Sequence, residues 1–183
     1  MHFFSVPHSF ENEFMSLILG IYHRACRLDL QRVQPMIDAF GAFPHRYMTR
    51  RSYPGFVVVT VSELEGEHGF ALQESATCVG AVAGTLVVGA RMHPRAADGF
   101  WEAWQANGAD CLAELEGAFV AMAYDAEPHR LHLANDKFGM RPLFVVETTD
   151  YVAFCSEIEP LLRLPGYRFA LDKATTAEYF CLG

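Results

Sequence analysis

The chain has 183 residues, of which 51% are hydrophobic and 20% are charged, and its formal net charge is −8. This length fits one domain, and the apolar fraction excludes disorder over most of the chain. The acidic balance argues against a nucleic-acid binder, because a phosphate backbone is recognised by clustered Lys and Arg side chains. The longest apolar stretch, residues 78–90, is interrupted by glycines and is too short to span a bilayer. We therefore expect neither a nucleic-acid partner nor a membrane partner.

Residues 1–14 differ from the rest of the chain, since they are aromatic and polar without a clear period. We interpret them as an N-terminal extension, followed by one domain over residues 15–183. The extension has no Lys or Arg, whereas a secretory signal begins with basic residues, so a cytoplasmic location is expected. The five cysteines form no Cys-x-x-Cys pair, and the histidines are scattered, so neither a disulfide framework nor a metal site is predicted.

In chain order, the first predicted elements are a buried strand at residues 17–22 and a helix at residues 30–40. The strand is a continuous apolar run, whereas the helix has apolar residues at helical spacing after Asp29, a residue type that caps helices. A strand rich in β-branched residues follows at 55–61. Two more strands, at 77–82 and 86–88, flank Ala83, Gly84 and Thr85, which we interpret as a tight turn or bend.

The second half begins with a predicted helix at 97–106 that ends at Asn107-Gly108, a typical C-terminal stop. A short helix is predicted at 110–115. Apolar runs separated by short polar turns then predict four strands, at 118–124, 130–134, 143–147 and 152–155, before helices at 157–162 and 173–182. Clusters of strands between helical blocks indicate an α+β fold with mostly antiparallel sheets.

Three motifs follow one another between residues 115 and 162. They read L-E-G-A-F-V-A-M-A-Y-D, L-H-L-A-N-D-K-F-G-M-R-P-L-F and F-C-S-E-I-E-P-L-L. Asp136 and Gly139 fit a turn between two strands, with Gly139 free to take a positive φ. Ser156 and Glu157 fit the cap of the next helix. All of these roles are structural, and nothing in the motifs performs chemistry by itself.

The three motifs resemble the class II glutamine amidotransferase domain of the asparagine synthetase family. The corresponding family text is close to L-x-G-x-F-A-F-x-x-x-D, L-x-L-A-R-D-x-F-G-x-K-P-L-Y and F-A-S-E-I-K-x-L, and a weaker likeness extends from about Met15 to Gly183. The resemblance implies a four-layer αββα sandwich of two mostly antiparallel sheets, the Ntn-hydrolase-like fold. It also implies a site that hydrolyses glutamine.

In that family an N-terminal cysteine attacks glutamine, and its own α-amino group is the base. Ser16 stands in the place of this cysteine. The Asn-Gly pair that helps to form the oxyanion hole aligns with Ala83 and Gly84, so only the glycine matches. The R-L-S-I stretch aligns near residues 59–62, where no arginine is present to bind the glutamine carboxylate. Asp98 matches the acidic residue that holds the glutamine amino group only after a small shift.

These differences predict a degenerate domain without useful glutaminase activity. One missing oxyanion donor costs about 3–4 kcal/mol of transition-state stabilisation, and here the thiol and the arginine are missing as well. The alternative is an active glutamine-hydrolysing domain or subunit of an asparagine synthase, with Ser16 as an atypical nucleophile. Translation from Met15 and removal of that methionine would expose Ser16, whereas translation from Met1 would leave it inside the chain.

Family members continue into a synthetase domain that binds ATP and adenylates a carboxylate. The chain has no Gly-Lys-Ser/Thr phosphate-binding motif and no S-G-G-x-D-S, so no cofactor is expected on these residues. ATP and Mg²⁺ are expected on the synthetase domain, in the same chain or a partner chain, with a peptide or a small-molecule carboxylate as substrate.

Family members whose amidotransferase domain does not hydrolyse glutamine include β-lactam synthetases and lasso-peptide cyclases. The ending L-D-K-A-T-T-A-E-Y-F-C-L-G resembles the lasso-peptide cyclases more closely. By analogy, the interface with the synthetase domain is predicted at one loop, and its residues are Asp136, Lys137, Phe138, Gly139 and Arg141.

Overall fold

The computed structural model describes residues 16–41, 47–62, 72–89 and 91–182. The predicted extension at residues 1–14 lies outside these ranges. The strands are β1 (Leu17–His23), β2 (Tyr47–Tyr53), β3 (Phe56–Ser62), β4 (Leu72–Glu74), β5 (Cys78–Val88), β6 (Arg91–Met92), β7 (Leu115–Asp125), β8 (Arg130–Asn135), β9 (Phe144–Glu147) and β10 (Tyr151–Cys155). The α-helices are α1 (Leu30–Gly41), α2 (Ala96–Asn107), α3 (Ile158–Leu162) and α4 (Lys173–Leu182), and a 3-10 helix spans Gly108–Ala113.

Two antiparallel sheets carry these strands. The first sheet has the order β2-β3-β1-β10-β9, and the second has the order β4-β5-β7-β8, with β6 paired to β5. Side chains on β1 alternate, so that Leu17 and Leu19 pack against α1 whereas Ile18 packs against the second sheet. On its other face the second sheet packs against α2, through Phe100 and Trp104. The layers therefore run helix, sheet, sheet, helix, and the predicted α+β class with two mostly antiparallel sheets is confirmed.

The prediction of two strands separated by a tight turn at residues 83–85 is wrong, whereas a bend at these residues was the other form of the prediction. β5 continues through them as one strand, and every residue from Cys78 to Val88 is paired with β7. Gly84 bends the strand at φ +110 without ending it. Gly84 favours a turn locally, but pairing of β5 with β7 on both sides of it outweighs that preference.

Other differences from the prediction are smaller. β2, β4 and β6 were not predicted, and β2 carries Arg50 and Arg51 in a polar stretch that becomes a strand by pairing with β3. The short helix at 110–115 is a 3-10 helix. Asp29 does cap α1, since its Oδ1 accepts a hydrogen bond of 3.0 Å from the N–H of Gln31.

The end of the described chain is a helix with a well-formed start. Asp172 accepts hydrogen bonds from the N–H of Ala174 at 2.9 Å and from the hydroxyl of Thr175 at 2.8 Å. These bonds lower the pKa of the Asp172 carboxyl, the hydroxyl of Thr175 most of all. Among the described helices, none is long and apolar enough to cross a membrane.

Candidate functional site

Ser16 lies directly before β1 and is half-buried. Two residues further on, Ile18 packs in the core between the two sheets. Because side chains alternate along an extended chain, Ser16 lies on the side of β1 that faces the second sheet. This is the end of the sandwich at which β1 begins, and we call it the Ser16 end.

Ser156 holds β1 in place next to Ser16. The Ser156 hydroxyl accepts a hydrogen bond of 3.0 Å from the N–H of Ile18 and lies 3.3 Å from its carbonyl oxygen, to which it donates. The N–H of Ser156 donates to the same carbonyl at 2.9 Å. The interpretation of Ser156 and Glu157 as side-chain caps of α3 is wrong. Glu157 occupies the N-cap position without a side-chain cap, and Ser156 bonds to β1.

Gly84 lies where β5 passes close to β7. A Cβ atom at Gly84 would be 2.1 Å from the carbonyl oxygen of Ala118. Gly117, the glycine of the L-E-G-A-F motif on β7, lies equally close to the backbone of β5. A Cβ atom at Gly117 would be 2.4 Å from the carbonyl oxygen of Thr85. Both glycines have positive φ, at +110 and +121. Gly84 is therefore required by the backbone, whether or not it has a role in chemistry.

The position that aligns with the oxyanion-hole asparagine is part of the hydrophobic core. Ala83 is 1% exposed and belongs to the cluster between the sheets, together with Ile18 and Val58. β3, with which the stretch containing the carboxylate-binding arginine aligns, is buried along its whole length. The arginines of the neighbouring strand β2 have other partners, since Arg51 bonds to Glu74 at 2.8 and 2.9 Å.

Asp98 lies apart from the other aligned residues. It is on α2, which packs on the face of the second sheet that points away from β1. Its Oδ1 accepts a hydrogen bond of 2.6 Å from the amide of Gln73, and Arg95 lies 3.8 Å from its Oδ2. The structure thus brings Ser16 and Gly84 to one end of the sandwich but places Asp98 in an outer layer.

The loop from Asp136 to Arg141 joins β8 to β9 at the Ser16 end. Asp136 is 4% exposed, and its carboxylate accepts hydrogen bonds of 3.0–3.1 Å from the N–H groups of Phe138, Met140 and Arg141. Burial raises the pKa of this carboxyl, but the three N–H donors outweigh burial and hold the pKa below its usual value. Gly139 has φ +64, as the sequence predicts.

The tip of this loop points apolar side chains into solvent. Phe138 is 87% exposed and Met140 is 70% exposed, although the loop beneath them is fixed by Asp136. Lys137 and Phe138 also line a cavity of about 350 Å³ against the start of β7, next to Gly117. A rigid loop with an exposed apolar tip is suited to contact with another protein surface.

Among the described residues, no group of three or more His, Cys, Asp and Glu side chains is arranged to hold a metal ion. At the Ser16 end, the side-chain group that aligns with the family nucleophile is the hydroxyl of Ser16. A serine attacks a carbonyl only when a base takes its proton. Here the α-amino nitrogen of Ser16 would be that base only in a chain that begins at Ser16.

Comparison with known proteins finds two similarities, both over part of the chain. Residues 97–183 match the family model described as a glutamine amidotransferase domain. A segment of 53 residues is 42% identical to a protein of Methanocaldococcus jannaschii that is named as an asparagine synthetase (glutamine-hydrolyzing). This part of the chain is therefore similar to a glutamine amidotransferase domain, and a shorter segment is similar to an asparagine synthetase. The matching segment is 29% of this chain and spans only 10% of the length of the relative.

The match to the family model covers the second half of the fold. Residues 97–183 include β7 to β10 and the Asp136 loop, but they exclude Ser16 and Gly84. Sequence reasoning missed the contact of Ser156 with β1 and the reason for Gly117. The signal for both was present, since each residue stands within a motif, but the partner strands β1 and β5 are distant in sequence.

Proposed function

We propose that this amidotransferase domain does not hydrolyse glutamine and serves as the scaffold half of an ATP-dependent, amide-forming enzyme related to asparagine synthetase. The observation that carries the proposal is the packed apolar core between the sheets. Ala83 and Val58 are each at most 1% exposed there, at or beside the positions aligned with substrate-contacting polar groups. Polar groups are needed at those positions to bind glutamine and to stabilise an oxyanion.

The magnitudes favour loss of activity over a weak activity. Each missing oxyanion donor removes roughly 10²–10³ in rate. A hydroxyl in place of a thiol, without an arginine to hold the carboxylate, removes further binding and reactivity. The domain then needs an amine from elsewhere, as in the lasso-peptide cyclases that its C-terminal residues resemble, where the amine belongs to the substrate.

Glutamate release from glutamine by the purified chain tests the proposal. We expect no release above the rate in buffer, and the same background for Ser16→Ala, which removes the hydroxyl and leaves β1 intact. Release by the natural chain that is lost in Ser16→Ala would overturn the proposal.

That outcome would establish the second candidate, an active glutamine-hydrolysing domain with Ser16 as nucleophile. It is favoured by the half-buried position of Ser16 beside the strand end that Ser156 fixes. The decisive comparison is between a chain that begins at Met1 and one that begins at Ser16. The second candidate requires that the chain beginning at Ser16 is active and that the chain beginning at Met1 is not. Only the former has a free α-amino group on Ser16.

The proposed partner is a synthetase domain that docks on the Asp136 loop and carries the ATP, Mg²⁺ and carboxylate substrate, in the cytoplasm. Support comes from the exposure of Phe138 and Met140 and from the length of the relative, of which only 10% is matched. The intact mass of the protein from its native cells tests this. A longer chain, or a stable complex with an adenylating protein, is expected, and a product of 20.5 kDa that purifies alone would contradict it.

A further inference from the structure

A cavity of about 350 Å³ lies on the helix-covered face of the first sheet, outside the space between the two sheets. Its walls are the end of β1, the start of α1, the turn between β9 and β10, and residues 164–166 after α3. Its floor is apolar, since Ile21, Val33 and Leu164 are each at most 6% exposed. The volume falls within the range of roughly 300–1,000 Å³ that is typical of small-molecule sites. We call it the α1 cavity, and it lies at the end of β1 opposite Ser16.

Hydrogen bonds within the fold fix the walls of the α1 cavity. In the turn between β9 and β10, the N–H and the hydroxyl of Thr148 both donate to the carbonyl of Tyr151, at 2.9 and 3.1 Å. The carbonyl of Asp150 accepts a hydrogen bond of 2.8 Å from the N–H of Arg24, which joins this turn to the end of β1. On the opposite wall, the carboxylate of Asp29 caps α1. A preformed cavity binds a small ligand with little loss of conformational entropy in the protein.

Four charged side chains line the α1 cavity, two of each sign. They are Arg27, Arg32, Asp29 and Asp150, and all four are exposed. None of them forms an ion pair with another described residue, although a nitrogen–oxygen distance of up to 4.0 Å counts as one. Asp29 accepts the N–H of Gln31, whereas the other three charged groups make no hydrogen bond within the described part of the chain. Opposite charges therefore line one cavity without neutralising each other.

The hydroxyl of Tyr151 in the same cavity is influenced by charges of both signs. Burial raises the pKa of this phenol, Tyr167 and Asp150 add to the effect, and Arg32 opposes it. The Asp150 carboxylate and the Arg32 guanidinium are therefore both close enough to act on one hydroxyl. Among the described residues this hydroxyl has no hydrogen-bond partner. Because a hydroxyl both donates and accepts, it can bond to either end of a ligand that carries both charges.

We propose that the α1 cavity binds a free α-amino acid with an apolar side chain. Arg27 and Arg32 bind its carboxylate, Asp150 binds its ammonium group, and the apolar floor contacts its side chain. The planar guanidinium group presents paired N–H donors that match the two oxygens of a carboxylate. The ammonium group has donors only, and the Asp150 carboxylate has acceptors only.

A zwitterion fits this lining better than an ion of one sign. A simple anion such as phosphate would meet the carboxylates of Asp29 and Asp150, and a simple amine would meet the two arginines. An amino acid satisfies both signs at once, and its side chain covers apolar floor that water otherwise contacts. The cavity and the Ser16 end lie at opposite ends of β1, so this inference does not depend on whether the domain hydrolyses glutamine.

The test is a titration of the full chain with L-leucine, L-methionine and L-phenylalanine, followed by nuclear magnetic resonance of the backbone amides. We expect saturable shifts at amides that line the cavity, such as those of Val33, Thr148 and Gly166. No saturable shift with any of these amino acids, or shifts centred on the Ser16 end, would overturn the proposal.

Two smaller probes separate the two charges of the ligand. Isocaproate is leucine without its ammonium group, and isoamylamine is leucine without its carboxylate. Each should bind at least about tenfold more weakly than leucine, because each leaves one charged group of the cavity without its partner. Equal affinities for leucine and for either smaller probe would show that the cavity does not recognise a zwitterion.

Two variants assign each charge to one end of the ligand. Arg32→Gln should weaken leucine and isocaproate by at least about tenfold without weakening isoamylamine. Asp150→Asn should weaken leucine and isoamylamine without weakening isocaproate. Arg91→Gln, at an exposed position on β6 of the second sheet, is the matched control and should leave all affinities unchanged. The same loss in Arg91→Gln, or one pattern of losses in both test variants, would overturn the assignment of the charges.

Discussion

The two ends of the sandwich use their key residues in different ways. At the Ser16 end, the motif residues Gly117, Asp136 and Ser156 all act on backbone, by close approach or by hydrogen bonds to N–H and carbonyl groups. At the opposite end of the sandwich, the rings of His129 and Tyr124 bond to each other and also to the carbonyls of His23 and Pro54 in two neighbouring turns. The comparison shows that small and acidic motif residues hold the backbone at the Ser16 end, whereas ring side chains join the turns at the other end, and of these rings Tyr124 belongs to a motif and His129 does not.

The largest expected effect on stability comes from the close contact between β5 and β7 at Gly84. Gly84→Ala should lower the free energy of unfolding by about 3–5 kcal/mol, because the new Cβ meets a backbone oxygen at a positive φ. Chemical denaturation measures it. Gly89→Ala is the matched control, since Gly89 has φ +55 and nothing within 4 Å of its Cβ position. It should cost about 1–2 kcal/mol. Equal losses in the free energy of unfolding for the two variants would show that β5 and β7 are not in close contact at Gly84.

The second prediction concerns the Asp136 loop. Asp136→Ala leaves three N–H groups without their acceptor, and we expect a loss of about 2–3 kcal/mol in the free energy of unfolding. Asp150→Ala, at an exposed position in the turn before β10, should change it by less than about 0.5 kcal/mol. If Asp136→Ala were as mild as its control, the carboxylate would not be what fixes the loop.

The third prediction is a dependence of stability on pH. Burial lowers the pKa of His132, an effect that Asp125 opposes and Arg130 reinforces. The unfolded chain therefore takes up a proton as the pH falls through about 6.5, while the folded domain does not yet do so. The free energy of unfolding should therefore decrease as the pH is lowered through that window. Urea midpoints measured across the window should lose part of this slope in His132→Asn, and an unchanged slope would contradict the assignment.

The smallest effect on stability is expected at the loop tip. Phe138 is 87% exposed, so Phe138→Ala should change the free energy of unfolding by less than about 0.5 kcal/mol. If the synthetase domain docks here, the same variant should weaken that association markedly, which a binding titration with the purified partner would measure. A variant that loses stability but keeps its affinity would place Phe138 in the fold and not in the interface.

The elements that were predicted correctly are those determined by residues close together in the sequence. The strand at β1, the helix α1 with its Asp29 cap and the left-handed Gly139 follow from periodicity and turn preferences. The long strand β5 could not be predicted, because its glycine bend is held by pairing with β7, more than thirty residues away along the chain. β2 was missed for the same reason, since its polar residues are held by β3.

The candidate site was predictable only in part. Aligned positions could be named from the sequence, but their surroundings could not. Ala83 looked like one substitution in a turn, whereas it is packed among buried residues of both sheets. Asp98 matches the acidic residue of the family only after a small shift, and it lies in an outer layer of the fold. Distances between layers depend on the tertiary packing, which spacing along the chain does not contain.

The strand order of the first sheet has a consequence for how this protein can be divided. β1 lies between β3 and β10, so the centre of that sheet combines the first and last thirds of the chain. A truncated chain that starts at Ala97 would keep β9 and β10 but would leave the edge of β10 bare and Ala153 and Cys155 without their packing partners. Bare apolar edges self-associate. The stretch that matches a family is therefore not a folding unit, and gene fusions or split versions of this domain must keep its first strand together with its last.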